Sequence, residues 1–423
     1  MKLHIKGGTV VDPYNDSVEE RDLYIENGVF VNTLTGDPDR VIDAVGKTIF
    51  PGLIDSHVHL RDPGYEYRED IITGTKAAAR GGFTRVACMP NTRPICDSPA
   101  IVSYIIDKAE RQGYCQVLPV GAVSKNEEGE ELAEIGLMVE AGAVGISDDG
   151  VPVKTAELMR KAMVYADYFD IVVMDHCEDK TLTKGGSMNE GKVSLEMGLM
   201  GVPSAAEEIM MARDILLAEY LDLPVHLSHC STANGIELVR EAKRRGVKVT
   251  CETCPHYFWL TDEAVRGYRT EAKMYPPLRT EKDRVAMIEG LLDGTIDMIA
   301  TDHAPHHIDE KDMEFSLANP GIVGLETSFP LSYTKLVKEH GMDLLTLAKK
   351  MASEAAKLLR QPLDGFKEGA RADLMMADLN KPFTVDKNTF ATKGRNTPFD
   401  GYELYGRPEL TIWKGRITHE ELS

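Results

Sequence analysis

The sequence predicts an α/β fold: a (β/α)8 TIM barrel of parallel strands and helices, with a small β domain beside it. Two observations predict the barrel, namely eight short apolar runs and the stretches of helical periodicity that separate them. A third observation predicts the small domain, because both ends of the chain contain hairpin-like segments instead. A chain of 423 residues is long enough for one large domain and a small one.

The predicted strands are short, and most are rich in valine, isoleucine or methionine, as strands buried on both faces should be. They cover residues 48–54, 85–89, 117–120, 143–146, 171–174, 225–228, 247–250 and 298–300. An open doubly wound sheet is the alternative architecture. Such a sheet usually has a glycine-rich phosphate loop after its first strand, and none follows Ile54.

The predicted helices lie between these strands and repeat their apolar residues at helical spacing. They cover residues 69–80, 100–112, 132–141, 156–166, 205–220, 235–245 and 282–293. Several are followed by a glycine, where we expect a left-handed residue to end the last turn. These glycines are Gly81, Gly113, Gly142, Gly246 and Gly294.

The two ends of the chain differ from the middle. Their alternating segments cover residues 3–11, 22–31, 40–43, 372–378 and 410–414, with turn residues or prolines between them. Neither end could bury a core alone. We therefore expect residues 1–50 and 366–423 to combine into one small β-sandwich domain, and residues 51–365 to form the barrel.

Charge and composition exclude several classes of protein. A formal net charge of −20 argues against nucleic acid or an anionic membrane as the main partner. No apolar run approaches the ~20 residues that cross a bilayer, and the N-terminus has no signal-peptide core. Seven irregularly spaced cysteines favour a reducing cytoplasm. The C-x-x-C spacing of Cys251 and Cys254 has no second pair, so we expect both to pack near a strand end.

Polar side chains follow the predicted strands at the end where barrel enzymes place their active sites. His57 and His59 are two residues apart, so extended backbone projects both imidazoles to one side. Such a pair is by itself as typical of structure as of metal binding, but similar residues follow other strands. These are Asp55, Arg61, Asp62, Asn91, Asp148, Asp149, His176, His229, Asp302, His303 and His306. Their joint placement predicts a metal site, and imidazole with carboxylate favours zinc over manganese or cobalt.

Eight short motifs carry a family resemblance. They are 51–64 (PGLIDSHVHLRDPG), 89–94 (MPNTRP), 147–150 (SDDG), 175–179 (DHCED), 188–191 (MNEG), 226–229 (HLSH), 254–256 (CPH) and 301–305 (TDHAP). With them the chain resembles a dihydroorotase of the amidohydrolase superfamily, in the type built without a carbamylated lysine. The resemblance spans nearly the whole chain, including residues 321–327 (GIVGLET).

The resemblance implies a set of metal ligands. His57, His59 and Asp302 would hold one zinc ion, and His176 and His229 a second, with Asp149 bridging the two. In some similar enzymes only the first ion is bound, so one or two ions per chain are expected. Asp149 stands where hydantoinases and allantoinases have a carbamylated lysine, and residues 145–150 contain no lysine. Asp148 should point away from Asp149, because neighbouring side chains on extended backbone face opposite sides.

The implied reaction is the reversible conversion of N-carbamoyl-L-aspartate to L-dihydroorotate and water. Asp302 would act as general base and then as general acid. Arg61 and Asn91, assisted by His306, would bind the substrate carboxylate, although a salt bridge from Arg61 to Asp62 is the structural alternative. Loops 181–201 and 306–321 are expected on the active face, the second either as a lid or as a passive ordered loop.

Two positions depart from the family pattern. Tyr275 stands where the family has a substrate-contacting asparagine, and Pro320 stands where an aromatic residue precedes Gly321 in the backbone strip that meets the substrate ring. A second hypothesis is therefore another cyclic-amide hydrolase, acting on hydantoin, dihydropyrimidine or allantoin. A third is a non-catalytic subunit that scaffolds aspartate transcarbamoylase. A homo-oligomer is expected in each case.

Overall fold

The computed structural model describes residues 1–362 and 364–422; Leu363 and Ser423, each inside a predicted domain, lie outside the described residues. The chain begins with five strands: β1 (Lys2–Asp12), β2 (Ser17–Glu26), β3 (Val29–Val31), β4 (Arg40–Asp43) and β5 (Thr48–Pro51). The next strand begins at Leu53, so the prediction of one strand over 48–54 is wrong. Gly52 separates the two strands, and a Cβ atom there would lie 2.2 Å from Thr84 Oγ1.

Eight parallel strands form the barrel, in agreement with the predicted fold class. They are β6 (Leu53–Val58), β7 (Phe83–Cys88), β8 (Gln116–Gly121), β9 (Gly145–Ile146), β10 (Met174–Asp175), β13 (Val225–Leu227), β14 (Val249–Thr253) and β15 (Met298–Ile299). They pair as two four-stranded sheets, and parallel bridges between Ile146 and Val173 and between Val58 and His303 join the sheet edges. The strands therefore close on themselves. Two short strands, β11 (Met188–Asn189) and β12 (Gly201–Val202), pair in the segment after β10.

Helices separate the strands, and all seven predicted ones are present with shifted ends. The α-helices are α1 (Ile71–Arg80), α2 (Pro99–Gln112), α3 (Ile135–Ala141), α4 (Ala156–Tyr168), α5 (Lys180–Thr183), α6 (Lys192–Met197), α7 (Ala205–Leu221), α8 (Ala233–Arg244), α9 (Pro255–Trp259), α10 (Glu281–Asp293), α11 (Ile308–Lys311), α12 (Ser328–Ser332), α13 (Leu344–Ala348) and α14 (Glu354–Leu358). Wider π-helical turns at Tyr333–Glu339 and Lys349–Ser353 continue α12 and α13. Among the described residues, no helix combines the length and the apolar character that crossing a membrane requires.

Two of the five predicted glycine caps are not left-handed. Gly81 and Gly113 have φ values of −83° and −77°. Glycine is needed at both positions because the backbone is crowded: a Cβ atom would lie 2.0 Å from Leu325 O at Gly81 and 2.5 Å from Ala109 O at Gly113. The other three predicted caps have positive φ.

Strands from both ends of the chain form one sheet beside the barrel. The C-terminal strands are β16 (Leu374–Thr384), β17 (Glu403–Trp413) and β18 (Arg416–Glu420), and the strand order is β18-β17-β16-β5-β1-β2-β3, with β4 on β1. The first part of β1 pairs with β4 and the second part with β5. Apolar residues of both ends, including Ile5, Leu374 and Ile412, form a shared core. β16 runs beyond the predicted 378 because a register shift between Asp378 and Pro382 accommodates the proline.

Candidate metal centre and active site

The six side chains predicted as metal ligands meet at the carboxyl ends of the barrel strands. They come from β6 and from the segments that follow β6, β9, β10, β13 and β15, and each is at most 5% exposed. Their nitrogen and oxygen atoms form three overlapping groups within 4.8 Å: His57–His229–Asp302, His57–His59–Asp149 and Asp149–His176–His229. The barrel topology therefore brings together residues that are up to 245 positions apart in the sequence.

Asp149 occupies the middle of this cluster. Its Oδ1 lies 3.3 Å from His57 Nε2, 3.4 Å from His229 Nε2 and 3.7 Å from His176 Nδ1, and its Oδ2 lies 3.4 Å from His59 Nε2. The Asp148 carboxylate is turned away and accepts a hydrogen bond from Ser124 N at 3.0 Å. Among the described residues, Asp149 is therefore the one carboxylate that lies within 4 Å of all four imidazoles.

The donor atoms fit a metal ion. Two ligand atoms each about 2 Å from a tetrahedral ion lie about 3.3 Å apart. The pairs named above match that spacing, as do His59 Nε2 and Asp302 Oδ1 at 3.1 Å. His57 Nε2, which faces the cluster, is buried and has no hydrogen-bond partner among the described residues. A buried polar atom without a partner is costly, and an ion would satisfy it.

Neighbouring charges set the protonation of the cluster. Burial alone would lower the pKa of His57, but the adjacent Asp149 carboxylate raises it well above 6.5. Burial alone would likewise raise the pKa of Asp302, but the hydrogen bond with His59 and the charge of His57 hold it below its ordinary value. The carboxylates are therefore ionised at neutral pH, as metal ligation requires.

A further carboxylate, outside the six predicted donors, lies behind the cluster. Glu252 on β14 is fully buried, and its Oε1 lies 3.2 Å from His57 Nδ1. Its Oε2 accepts a hydrogen bond from Ser56 Oγ and lies 3.3 Å from His226 Nε2. This contact directs Nε2 of His57 at the cluster. A histidine that binds a metal commonly donates its other ring N–H to a carboxylate in this way. Sequence analysis missed Glu252, although an acidic residue inside an apolar barrel strand was a signal.

A cavity of about 270 Å³ opens onto the cluster. It is lined by His59, Arg61, Asn91, Asp149, Gly150, His176, Lys180, His229, Met274, Tyr275, Asp302, Ala304 and Pro320. One arginine and one lysine, Arg61 and Lys180, therefore share this cavity with the carboxylates of the cluster. Lys180 has no place in the sequence-based site, because nothing local marks a lysine in an exposed loop as a cavity residue.

Arg61 is available to bind an anion. It forms no ion pair in the described part of the chain, and its Nε donates to Pro305 O at 3.4 Å. Asp62, the structural alternative for its partner, instead pairs with Lys108 at 2.7 Å. Burial, with the charge of Arg68, lowers the pKa of Arg61 to about 10, so the guanidinium stays protonated at neutral pH.

Asn91 lies between the cluster and the cavity. Its Oδ1 lies 2.9 Å from His59 Nδ1, and its Nδ2 donates to Asp149 Oδ2 at 3.4 Å. Three site residues near it have left-handed backbone, namely Arg61, His229 and Asp302, with φ of 59°, 36° and 45°. Strained backbone of this kind clusters at functional sites, where the surrounding structure maintains it.

Of the remaining residues predicted to bind substrate, two line the cavity and two lie beside it. Tyr275 and Pro320 line the cavity, and Gly321 follows them with its N–H donating to Lys273 O at 2.8 Å. Burial raises the pKa of Tyr275 to about 12, so its phenol is uncharged. His306 lies outside the cavity lining, and its Nε2 donates to Pro320 O at 2.9 Å.

Known proteins resemble this chain over its full length. A family described as dihydro-orotase-like matches residues 46–235. The dihydroorotase of Acetivibrio thermocellus is 53% identical, covering 99% of both chains, and that of Geobacter metallireducens is 52% identical, covering 99% of this chain and all of the other.

Solved structures share the fold. The L-hydantoinase (dihydropyrimidinase) of Arthrobacter aurescens superimposes with a TM-score of 0.89 at 26% identity, covering 99% of this chain and 96% of the other. The dihydropyrimidinase of Brevibacillus agri superimposes with a TM-score of 0.84 at 23% identity, covering 99% and 95%. Full-length identity above 50% is far beyond what a shared fold alone produces, so this chain belongs to the dihydroorotase family.

Proposed function

We propose that this chain is a metal-dependent dihydroorotase, which converts N-carbamoyl-L-aspartate reversibly to L-dihydroorotate and water in de novo pyrimidine biosynthesis. The observation that carries the proposal is one cavity lined by five of the six histidine and aspartate donors and by Arg61, a buried arginine that forms no ion pair among the described residues. The donors suit hydrolysis of an amide, and the guanidinium suits a substrate with a carboxylate. Relatives at 52–53% identity carry the name of this activity.

The proposed metal is zinc, with one or two ions per chain. His57, His59 and Asp302 would hold the first ion and His176 and His229 the second, with Asp149 between them. Support comes from the donor set, which consists of imidazoles and carboxylates without a thiolate, because zinc accepts both of these ligand types. When bound, zinc would supply Lewis-acid polarisation of the amide carbonyl and of water.

Asp302 is the proposed proton carrier. In the hydrolytic direction, water adds to the ring amide carbon while the Asp302 carboxylate takes a proton from it. The carbon–nitrogen bond then breaks, and the protonated Asp302 returns the proton to the leaving nitrogen. The low pKa of Asp302 supports this role, because the carboxylate form is available at the start of the reaction.

Arg61 and Asn91 are proposed to hold the substrate carboxylate. A guanidinium matches the two carboxylate oxygens geometrically, and the Asn91 amide nitrogen can donate a further hydrogen bond. Tyr275, Pro320 and Gly321 would bound the substrate ring. His306 is proposed to act through its hydrogen bond to Pro320, which holds the strip in place.

A cytoplasmic location is also proposed. All seven cysteines are buried and free of disulfides, which suits a reducing compartment. Self-association and an association with aspartate transcarbamoylase remain predictions that rest on the sequence resemblance.

Turnover of four rings by zinc-loaded protein tests the proposal, with metal counted per chain. We expect dihydroorotate to be hydrolysed at least about a hundredfold more efficiently than hydantoin, dihydrouracil or allantoin, because only dihydroorotate pairs a carboxylate with Arg61. Preferred turnover of another ring would favour the second hypothesis. Bound zinc without turnover of any ring would favour the scaffold.

A further inference from the structure

A second cavity, of about 610 Å³, lies next to the metal centre but shares none of the six donors. Its lining includes Tyr67, Arg68, Tyr268, Arg269, Lys311, Lys387, Lys393 and Arg395, and we call it the cationic cavity. It is separated from the catalytic cavity by the strip at residues 319–321. His306 and Lys311 line the cationic cavity and hydrogen-bond to that strip.

The charge of the cationic cavity is opposite to that of the chain. Six lysine and arginine side chains line it against two carboxylates, Glu271 and Asp312, in a protein of net charge −20. Two of the six are paired with carboxylates beside the lining, Arg68 with Glu310 and Lys393 with Asp70. Arg269 and Arg395 form no ion pair in the described part of the chain. Lys387 approaches Glu271 only to 4.0 Å. This local excess of positive charge concentrates anions against the field of the whole molecule.

Lys311 adds a buried amino group to this lining. It is 3% exposed, and its Nζ donates to Asn319 O at 2.8 Å and to Gly321 O at 3.2 Å rather than to a carboxylate. Burial, with the nearby charge of Lys273, lowers its pKa to about 7. At neutral pH Lys311 is therefore charged in about half of the molecules, and a bound anion would favour the charged form.

Two tyrosines give the cationic cavity a further property. Tyr67 and Tyr268 line it and are each 54% exposed. The Arg68 guanidinium lies over the Tyr67 ring, with its Cζ 5.3 Å from the ring centroid, and the exposed parts of both rings can stack on a planar ring. The volume is within the range of small-molecule sites. We propose that the cationic cavity binds a phosphorylated ligand with a planar ring, of the size of a nucleotide.

A ligand bound in the cationic cavity would affect the catalytic cavity through Lys311. The ammonium group holds the carbonyls of Asn319 and Gly321, and Pro320 between them lines the catalytic cavity. A phosphate that attracts Lys311 weakens these bonds and shifts the strip, so KM for the catalytic substrate changes. This consequence rests on the proposed function, whereas binding itself does not.

Calorimetric titration of the metal-loaded protein tests binding, with uridine triphosphate, adenosine triphosphate, inorganic triphosphate and uridine as probes. We expect both nucleotides to bind, inorganic triphosphate to bind more weakly, and uridine to show no saturation. An Arg269→Ala/Lys387→Ala double variant should weaken nucleotide binding at least about tenfold, or ~1.4 kcal/mol. An Arg111→Ala/Lys161→Ala control removes the same charge from exposed helix positions outside the lining and should bind as wild type.

The comparison of the two double variants isolates the cavity, because heat from metal chelation is common to both. Two results would overturn the site: no saturable nucleotide binding up to millimolar concentrations, or equal affinity in both double variants. Equal affinity for inorganic triphosphate and the nucleotides would overturn the role of the tyrosines. A face that docks only a protein would produce the first result. Loss of catalysis with binding intact would count against the proposed function and leave this site standing.

Discussion

Asp302 has two proposed roles, as metal ligand and as proton carrier, and one substitution can separate them. Asp302→Asn keeps the size of the side chain and one donor oxygen but loses the basic carboxylate. We expect turnover of dihydroorotate to fall by about 10²–10⁴-fold while the melting temperature is nearly unchanged. Zinc per chain, measured in the same sample, shows whether the loss is chemical. Activity near that of wild type would contradict the role of proton carrier.

Glu252 orients His57 from outside the cluster. Glu252→Gln removes the charge behind His57 Nδ1, so we expect zinc affinity to fall by about 10–100-fold. Glu69→Gln is the matched control, because Glu69 is equally buried and its Oε2 lies 3.4 Å from a histidine, His303, that is not among the donors. Competition with a chelator measures both variants. Equal losses in the two would mean that the effect is general destabilisation.

Lys180 places a positive charge at the mouth of the catalytic cavity. It pairs with Glu178 at 2.5 Å and is half exposed, so its attraction for a substrate anion is partly screened by solvent. We expect Lys180→Ala to raise KM for dihydroorotate roughly 3- to 10-fold with little change in kcat. Lys184→Ala removes an exposed lysine of the same loop that does not line the cavity, and it should leave KM unchanged. A fall in kcat alone would exclude a role in substrate attraction.

At the scale of elements, the strip at residues 319–321 packs between two cavities, and at Gly321 there is no room for a side chain. A Cβ atom on Gly321 would lie 2.5 Å from Ala304 O and 2.7 Å from His306 Cδ2, at a φ of 155°. Backbone and a buried ring cannot move aside easily. The strip therefore depends on glycine for packing rather than for chain flexibility.

We expect Gly321→Ala to destabilise the protein by about 1–3 kcal/mol beyond the cost of a positive φ, and to lower kcat/KM as Pro320 shifts. Gly267→Ala is the matched control, because Gly267 has a φ of 77° but nothing within 4 Å of its Cβ position. Thermal unfolding of both variants measures the difference. A smaller loss at Gly321 than at Gly267 would contradict the crowding.

At the scale of the whole molecule, a buried acid makes stability depend on pH. Glu127 Oε1 is buried without a hydrogen-bond partner among the described residues. Burial, together with the carboxylates of Asp148 and Asp149, raises the pKa of Glu127 to about 9 from 4.5. Between these two values the folded chain keeps a proton that the unfolded chain releases, so stability falls as pH rises through this window.

Glu127→Gln is uncharged at every pH and should remove this dependence. We expect the variant to exceed wild type in unfolding free energy by roughly 2–4 kcal/mol at pH 8.5, with a much smaller excess at pH 5.5. Urea unfolding at the two pH values measures it. The exposed neighbour Glu128 provides the control, since Glu128→Gln should follow wild type at both. An excess that does not grow with pH would mean that Glu127 is ionised in the folded protein.

Periodicity was sufficient for the architecture, and the six side chains predicted as metal donors lie together at one face of the barrel. Each strand is recognisable from a few consecutive residues, and parallel closure brings all carboxyl ends to one face, so His57 and Asp302 meet without further information. The cap conformation at Gly81 and the strand end at Gly52 were less predictable, because both glycines are crowded by residues that are distant in sequence.

Contacts between distant segments could not be predicted from the sequence and depend on the tertiary structure. Glu252 is 195 residues from His57, and nothing in either local sequence pairs them. Asp62 could have paired with Arg61 by proximity in sequence, but Lys108 neutralises it and leaves Arg61 for an anion. The cationic cavity combines charges from four separate segments. Local sequence sets the conformation of the backbone, whereas the balance of charge at a site depends on which side chains the tertiary structure brings together.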